Sequence, residues 1–208
     1  MAPAQASLLA KLDTQQRVRD FLTNAVASGR ASHAYLFLGA PGAGKLDAAW
    51  ALAQAFLCEQ DGCGSCDSRV RVARHTHPDV HYYTPESATG YLIAQTRELL
   101  DDVPLAPIRA KAKVYIIDRA EQLRANTANA LLKTLEEPPA HAVFILCTTE
   151  AYKIPQTILS RCMRFDFKLV GVDKLEALVG DVLVRSGKSF TPEALNAVAV
   201  AGEGSARD

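Results

Sequence analysis

The 208-residue sequence contains no run approaching the roughly 20 apolar residues of a membrane span, so no spanning helix is expected. It also lacks an excess of either charge: Lys plus Arg and Asp plus Glu each number 23. That balance excludes a domain that grips nucleic acid through bulk positive charge, and leaves any DNA contact to a local face or to an assembly. The opening residues, Met1-Ala-Pro-Ala-Gln-Ala-Ser-Leu-Leu-Ala-Lys11, have no basic segment followed by a long apolar core, so no secretory leader is expected. Five cysteines, an odd number without an export signal, speak for reduced thiols or metal ligands rather than a disulfide framework. A cytoplasmic location is the resulting expectation. What the chain does have is 49% hydrophobic residues, enough at this length for one large domain, or for one domain and a small second one.

The most informative stretch is Tyr35-Leu-Phe-Leu-Gly-Ala-Pro-Gly-Ala-Gly-Lys-Leu46. Tyr35 to Leu38 reads as a buried strand, Gly39-x-x-x-x-Gly44-Lys45 as a phosphate-binding loop, and Asp47 to Leu57 as a helix. Gly39, Gly42 and Gly44 let backbone N–H groups turn inward around an anion. The helix N-terminus adds partial positive charge, and Lys45 adds a full one. The next position breaks the pattern. A hydroxyl is needed there to hold Mg²⁺, and Leu46 offers no oxygen. The spacing therefore predicts phosphate binding without efficient metal-dependent hydrolysis.

A second strand, Lys113 to Ile117, runs into Asp118, the place where an acid holds Mg²⁺ and its water beside such a loop. The following position, which usually carries a second acid to orient that water, is Arg119. Glu121 lies three residues on, where the chain is expected to be turning. Val143 to Cys147 reads as a further strand with Thr148 and Thr149 at its tip, facing the ligand crevice of a parallel sheet or merely closing strand-end hydrogen bonds. Short strands are expected at Val80–Tyr83 and Arg164–Phe167, and helices at 14–29, 96–103, 126–137 and 155–159. From Val172 the pattern changes to two helices, 173–185 and 191–200, which places a boundary near Leu169. The last residues, Gly202 to Asp208, read as the start of another helix, the expectation being a polypeptide cut from a longer one.

Between the first helix after Lys45 and the Val80 strand lies a cysteine-bearing insertion at 58–77. Cys63-Gly-Ser-Cys66 has zinc-site spacing, with Cys58 as a third ligand and His75 as a fourth; a loop of thiols without metal is the other reading.

Taken together, His33-Ala-Tyr-Leu-Phe37, the phosphate loop, Thr76-His-Pro-Asp79, Asn129-Ala-Leu-Leu-Lys-Thr-Leu-Glu-Glu-Pro-Pro139 and Ser160-Arg-Cys162 resemble the AAA+ subunits of the bacterial DNA polymerase III clamp loader. The resemblance implies an α/β P-loop AAA+ domain with a parallel sheet between helices (residues 1–169). A small helical lid domain is expected to follow (170–208), with the family's C-terminal collar domain expected to be absent from this sequence. It implies ATP or ADP as ligand, with Arg207 as the lid arginine and Thr148 or Thr149 as sensor. It makes Cys58, Cys63 and Cys66 part of a zinc module, although the fourth cysteine of that module is missing. Arg161, in Ser-Arg-Cys, matches an arginine finger offered in trans to a neighbouring ATP site. The implied partners are the gamma/tau and delta subunits, and through the assembly the sliding clamp and primed DNA; no membrane is implied. The family contains hydrolysing gamma/tau members and a largely inactive stator. Leu46 and Arg119 place this chain with the stator, with no efficient ATPase activity of its own. An active gamma/tau-type ATPase and a pure scaffold with an empty P-loop are the alternatives.

Overall fold

The computed structural model describes residues 15–28, 32–58, 66–87, 90–202 and 204–205, and all structural statements concern those. Five strands form one parallel sheet: β1 (Ala34–Gly39), β2 (Val80–Tyr83), β3 (Lys113–Ile117), β4 (Ala142–Thr148) and β5 (Met163–Phe167), in the order β2-β3-β4-β1-β5. The helices are α1 (Gln16–Ala27), α2 (Lys45–Phe56), α3 (Asp67–Ala73), α4 (Ile93–Asp102), α5 (Ala125–Glu136), α6 (Gln156–Leu159), α7 (Val172–Arg185) and α8 (Pro192–Ala201). Among the described residues no helix is long and apolar enough to cross a membrane.

The sheet is sandwiched, and the strand sequences show why. Successive side chains of a strand point to opposite faces. Tyr35, Phe37, Val114, Ile116, Val143, Ile145 and Cys147 pack on one face with α1 and α2 (Val18, Leu22, Ala48, Ala49, Leu52). Leu36, Tyr115, Ile117, Phe144 and Leu146 pack on the other with α4, α5 and α6 (Leu99, Ala128, Leu131, Leu135, Ile158). Both faces are covered, so the interior positions of the central strands carry apolar residues, and each buried Leu, Ile or Phe contributes roughly 1.5–3 kcal/mol. Edge strand β5 keeps the alternation instead: Phe165 and Phe167 are buried, while Arg164 and Asp166 face water and pair with each other at 2.8 Å.

Two regions depart from the sequence expectation. Part of the expected cysteine loop is helical: α3 begins after Cys66 and is braced by an Arg71–Asp67 ion pair at i,i+4, 2.7 Å long. At the opposite end of the sheet from the glycine loop, Asp79 is fully buried, and its carboxylate accepts the backbone N–H groups of Ile108 (2.5 Å), Arg109 and Ala110 (both 2.8 Å). Burial pushes this acid's pKa up, but the three backbone donors outweigh it and hold the carboxyl below its usual range. The Thr76-His-Pro-Asp79 signature thereby pins the segment that leads into β3.

Helices α7 and α8 pack on each other around Val170, Leu175 and Ala199. Thr191 caps α8, accepting from the Ala194 N–H at 3.2 Å, with Pro192 in the first turn.

Candidate functional site

The C-terminal ends of β1, β3 and β4 meet at a cleft of about 330 Å³, lined among others by Gly42, Gly44, Lys45, Asp118, Thr148 and Thr149. The glycine loop that forms its floor connects β1 directly to α2. Gly44 has φ +87° immediately before the first helical residue, a conformation L side chains rarely adopt. Gly42, at φ +73°, is also short of room: a Cβ there would come within 2.1 Å of the Ser205 hydroxyl, so the segment after α8 lies directly against the loop, whereas a Cβ at Gly44 would meet open space.

Lys45 is buried, and its ammonium donates to the Gly39 carbonyl at 2.6 Å and the Ala40 carbonyl at 2.7 Å. Burial lowers its pKa; Cys147, Asp118 and Glu121 act in the other direction. Leu46 is partly buried: it packs against the apolar cluster on the α1 and α2 face of the sheet and also lines the cleft, where it offers carbon and no oxygen. Cys147, fully buried under Lys45, has its thiol pKa pushed far up by desolvation.

Asp118 follows the last residue of β3. Its carboxylate accepts from the Arg119 N–H at 2.9 Å and from the Tyr82 hydroxyl at 3.3 Å. Arg119 then takes a left-handed backbone conformation, φ +46° and ψ +50°, and starts a single 3₁₀ turn, Ala120–Gln122. This bend has a consequence that spacing could not reveal. It swings Glu121 back into the cleft, where Oε2 accepts the Thr148 hydroxyl at 2.5 Å. Thr148 in turn accepts the Glu150 N–H at 3.0 Å. Glu121 is thus a cleft residue, and the only sequence hint was its i+3 relation to Asp118.

Arg161 lies outside this cleft, just past α6. Its guanidinium donates to the Thr157 carbonyl at 2.7 Å and to Glu136 Oε1 at 2.7 Å. Glu136 is the first of the two glutamates in the Leu-Glu-Glu-Pro-Pro run, so two separated sequence signatures meet in one ion pair. Cys162 anchors the turn from the other side: it packs on the α5 face of the core, and burial pushes its thiol up to about 12.

Of the expected zinc ligands, Cys63 lies outside the described residues, as does Arg207. The Sγ atoms of Cys58 and Cys66 are 4.0 Å apart. His75 does not join them; it stacks on Trp50 with ring centres 3.9 Å apart. Among the described residues no three metal-ligating side chains gather.

Comparison with known proteins adds the following. The sequence model of a family described as DNA polymerase III, delta subunit, matches residues 14–170. DNA polymerase III subunit tau of Escherichia coli (strain K12) is 40% identical over 198 residues, which cover 93% of this chain and 30% of tau. DNA polymerase III subunit delta' of Bacillus subtilis (strain 168) is 39% identical over 159 residues, covering 75% of this chain and 48% of delta'. The chain thus spans less than half the length of both relatives. Among solved structures, the RuvB Holliday junction branch migration motor of Thermotoga maritima superposes with a TM-score of 0.64 at 18% identity, over 93% of this chain and 58% of RuvB. A DNA polymerase III gamma subunit-related protein of the same organism gives 0.52 at 22% identity, over 79% and 52%. At those identities the structural likeness speaks for the fold alone: a parallel sheet between helices, with a glycine loop between its first strand and the following helix.

Proposed function

Since the chain belongs to the family described as DNA polymerase III, delta subunit, we propose that it acts as a delta-prime subunit of the bacterial replicative clamp loader. In this reading it is a cytoplasmic AAA+ stator that holds nucleotide without turning it over efficiently. It offers Arg161 to the ATP site of a neighbouring gamma/tau subunit and, with delta as a further partner, helps place the sliding clamp on primed DNA. The names of the relatives do not divide this reading from an active gamma/tau-type ATPase, because tau and delta' lie at 40% and 39% identity.

One observation carries the choice. In an otherwise complete phosphate cradle, the residue after Lys45 is a leucine, partly buried against the core cluster and lining the cleft with an apolar side chain. Mg²⁺ requires oxygen ligands in near-octahedral geometry, so this donor set does not fit a catalytic magnesium. Gly42, Gly44 and Lys45 would hold the phosphates, Thr148 and Thr149 would face the far end of the chain of phosphates, and Arg207 would close the site from the lid (residues 170–208). Arg161 supplies a different chemistry. A guanidinium is always charged and presents several donors in one plane, which suits the equatorial oxygens of a transferring phosphoryl group. Its salt bridge to Glu136 limits the rotamers it samples before a neighbour arrives.

The test is reconstitution with the partner subunits. Arg161→Ala is expected to leave assembly intact and to lower ATP turnover at the dependent neighbouring site by ~10³-fold or more, the scale of a lost arginine finger. Unchanged turnover removes the stator reading, and brisk Mg²⁺-dependent hydrolysis by this chain alone replaces it with the ATPase.

A structural zinc on Cys58, Cys63 and Cys66 belongs to the same reading. Two thiolates on one tetrahedral zinc, with bonds of about 2.3 Å, stand about 3.8 Å apart, and the Cys58–Cys66 separation of 4.0 Å is close to that. Elemental analysis of the purified protein is expected to give about one zinc per chain; a metal-free protein that still assembles removes it.

A further inference from the structure

We infer that this cleft discriminates against nucleoside triphosphates in favour of diphosphates, and that Glu121 is the residue responsible. The inference deepens the nucleotide-holding part of the reading above and rests on it.

The groups that would receive phosphate are already engaged by the chain itself. The Lys45 ammonium is held by two loop carbonyls, and the Thr148 hydroxyl by the Glu121 carboxylate. These two engagements differ in kind. A backbone carbonyl is neutral, so a phosphate arriving over the glycine loop meets Lys45 and the start of α2 with no anion to displace. At Thr148 the occupant is itself an anion. Glu121 donates nothing when ionised and fills the hydroxyl's donor capacity as a terminal phosphate oxygen would.

The charge around the cleft points the same way. Its lining carries two cationic side chains, Lys45 and Arg119, against three carboxylates, Asp47, Asp118 and Glu121. A motor offsets such acids with a magnesium held partly by the hydroxyl that Leu46 lacks. Here the phosphate beyond the second would have to push Glu121 off Thr148 and then sit beside both Glu121 and Asp118. In this inference a diphosphate held at the glycine loop and Lys45 would stop short of Thr148 and leave its bond to Glu121 in place. Glu121 keeps its position because the left-handed Arg119 and the 3₁₀ turn fix the bend that delivers it, while the Tyr91 hydroxyl lies against the Asp118 and Tyr83 carbonyls at the base of that bend.

The experiment is an equilibrium titration of the full 208-residue chain with ADP and with ATP, each with magnesium and with EDTA, repeated on Glu121→Gln and Glu121→Ala. Circular dichroism and thermal melting check that the variants fold. The wild type is expected to bind ADP at least tenfold more tightly than ATP. Glu121→Gln removes the charge and keeps the shape, so the ratio should fall to about threefold or less, through tighter ATP binding with ADP little changed. Glu121→Ala frees Thr148 as well and should bring ATP level with ADP or ahead of it. Tighter binding of ATP than ADP by the wild type overturns the inference, and so does a tenfold preference that survives both substitutions. Binding of neither nucleotide by any of the three proteins overturns it together with the nucleotide-holding reading, whereas ADP binding with a ratio indifferent to Glu121 overturns this inference alone.

Discussion

Removing the charge of Asp79 should destabilise the protein strongly without touching the phosphate cleft. The carboxylate is 0% exposed and accepts three backbone N–H groups from one short loop. In Asp79→Asn, the amide oxygen can replace Oδ2 and keep the bonds from Arg109 and Ala110, but the amide nitrogen then faces the Ile108 N–H, donor against donor. An orphaned buried donor costs ~1–3 kcal/mol, and each surviving bond loses about 1 kcal/mol in passing from a charged to a neutral acceptor. The sum is about 3–5 kcal/mol, a large share of the ~5–15 kcal/mol that holds a typical domain together. With a urea slope of ~2–3 kcal/mol per molar, the unfolding midpoint should fall by ~1 M or more at neutral pH with an unchanged slope. The pH dependence supplies a second check. The folded carboxyl lies below the ordinary unfolded value of about 3.9. Its stabilisation is therefore fully present above that value and is lost as pH falls through the folded pKa. The gap between wild type and Asp79→Asn should close over that acid window, because a protonated Asp79 resembles an asparagine. A midpoint shift below ~0.3 M, or a gap that persists undiminished at the acid end, would refute the view that this cradle stabilises the start of β3.

Two further outcomes follow from the cleft and the exposed guanidinium. Leu46→Thr puts a hydroxyl where the metal would need one, so added Mg²⁺ should tighten nucleotide binding several-fold in the variant while changing the wild type little; an identical magnesium response in both would show that another group already holds the ion. Glu136→Ala leaves Arg161 tethered by the Thr157 carbonyl and the Ser160 hydroxyl, without its anionic partner. In the reconstituted loader it should lower the neighbour's kcat by less than Arg161→Ala does and add nothing on top of it, and full additivity of the two would separate Glu136 from the arginine.

The sheet was legible because its central strands are buried on both faces, which forces the unbroken apolar runs at 35–38, 114–117 and 143–147. Helix α2 was legible for the same reason and because Gly44 and Lys45 mark its start. Helix α3 was not: seven residues give too little periodicity, and its apolar positions, Val70 and Val72, stand among charges and beside the cysteines. The phosphate loop, Asp118 and the two threonines could be placed at one sheet edge from the chain alone, since each ends a strand. Glu121 could not, because its place depends on the backbone of Arg119 adopting φ +46°, a conformation uncommon enough outside glycine that no residue pattern announces it. The roles of Asp79 and Glu136 were hidden for a different reason. Their signatures were visible as strings, but what each string does is set by partners about 30 and 25 residues away, across turns whose geometry only the fold supplies.

A common thread runs through the groups singled out for chemistry. In the chain by itself each already has an internal partner: Lys45 the loop carbonyls, Thr148 the Glu121 carboxylate, Asp118 the Tyr82 hydroxyl and the next N–H, Arg161 the Glu136 carboxylate. A P-loop domain that leaves such groups unsatisfied gains stability when nucleotide fills them, by RT ln(1 + [L]/Kd), and its conformation then follows its nucleotide state. A domain that satisfies them internally gains less, because every new bond to a phosphate replaces one already made. In the proposed stator reading, self-pairing at the cleft and at Arg161 would yield a subunit whose shape responds weakly to nucleotide. That insensitivity would suit the proposed stator, and it would act alongside Leu46 and Arg119, the two positions on which the proposal rests the loss of turnover.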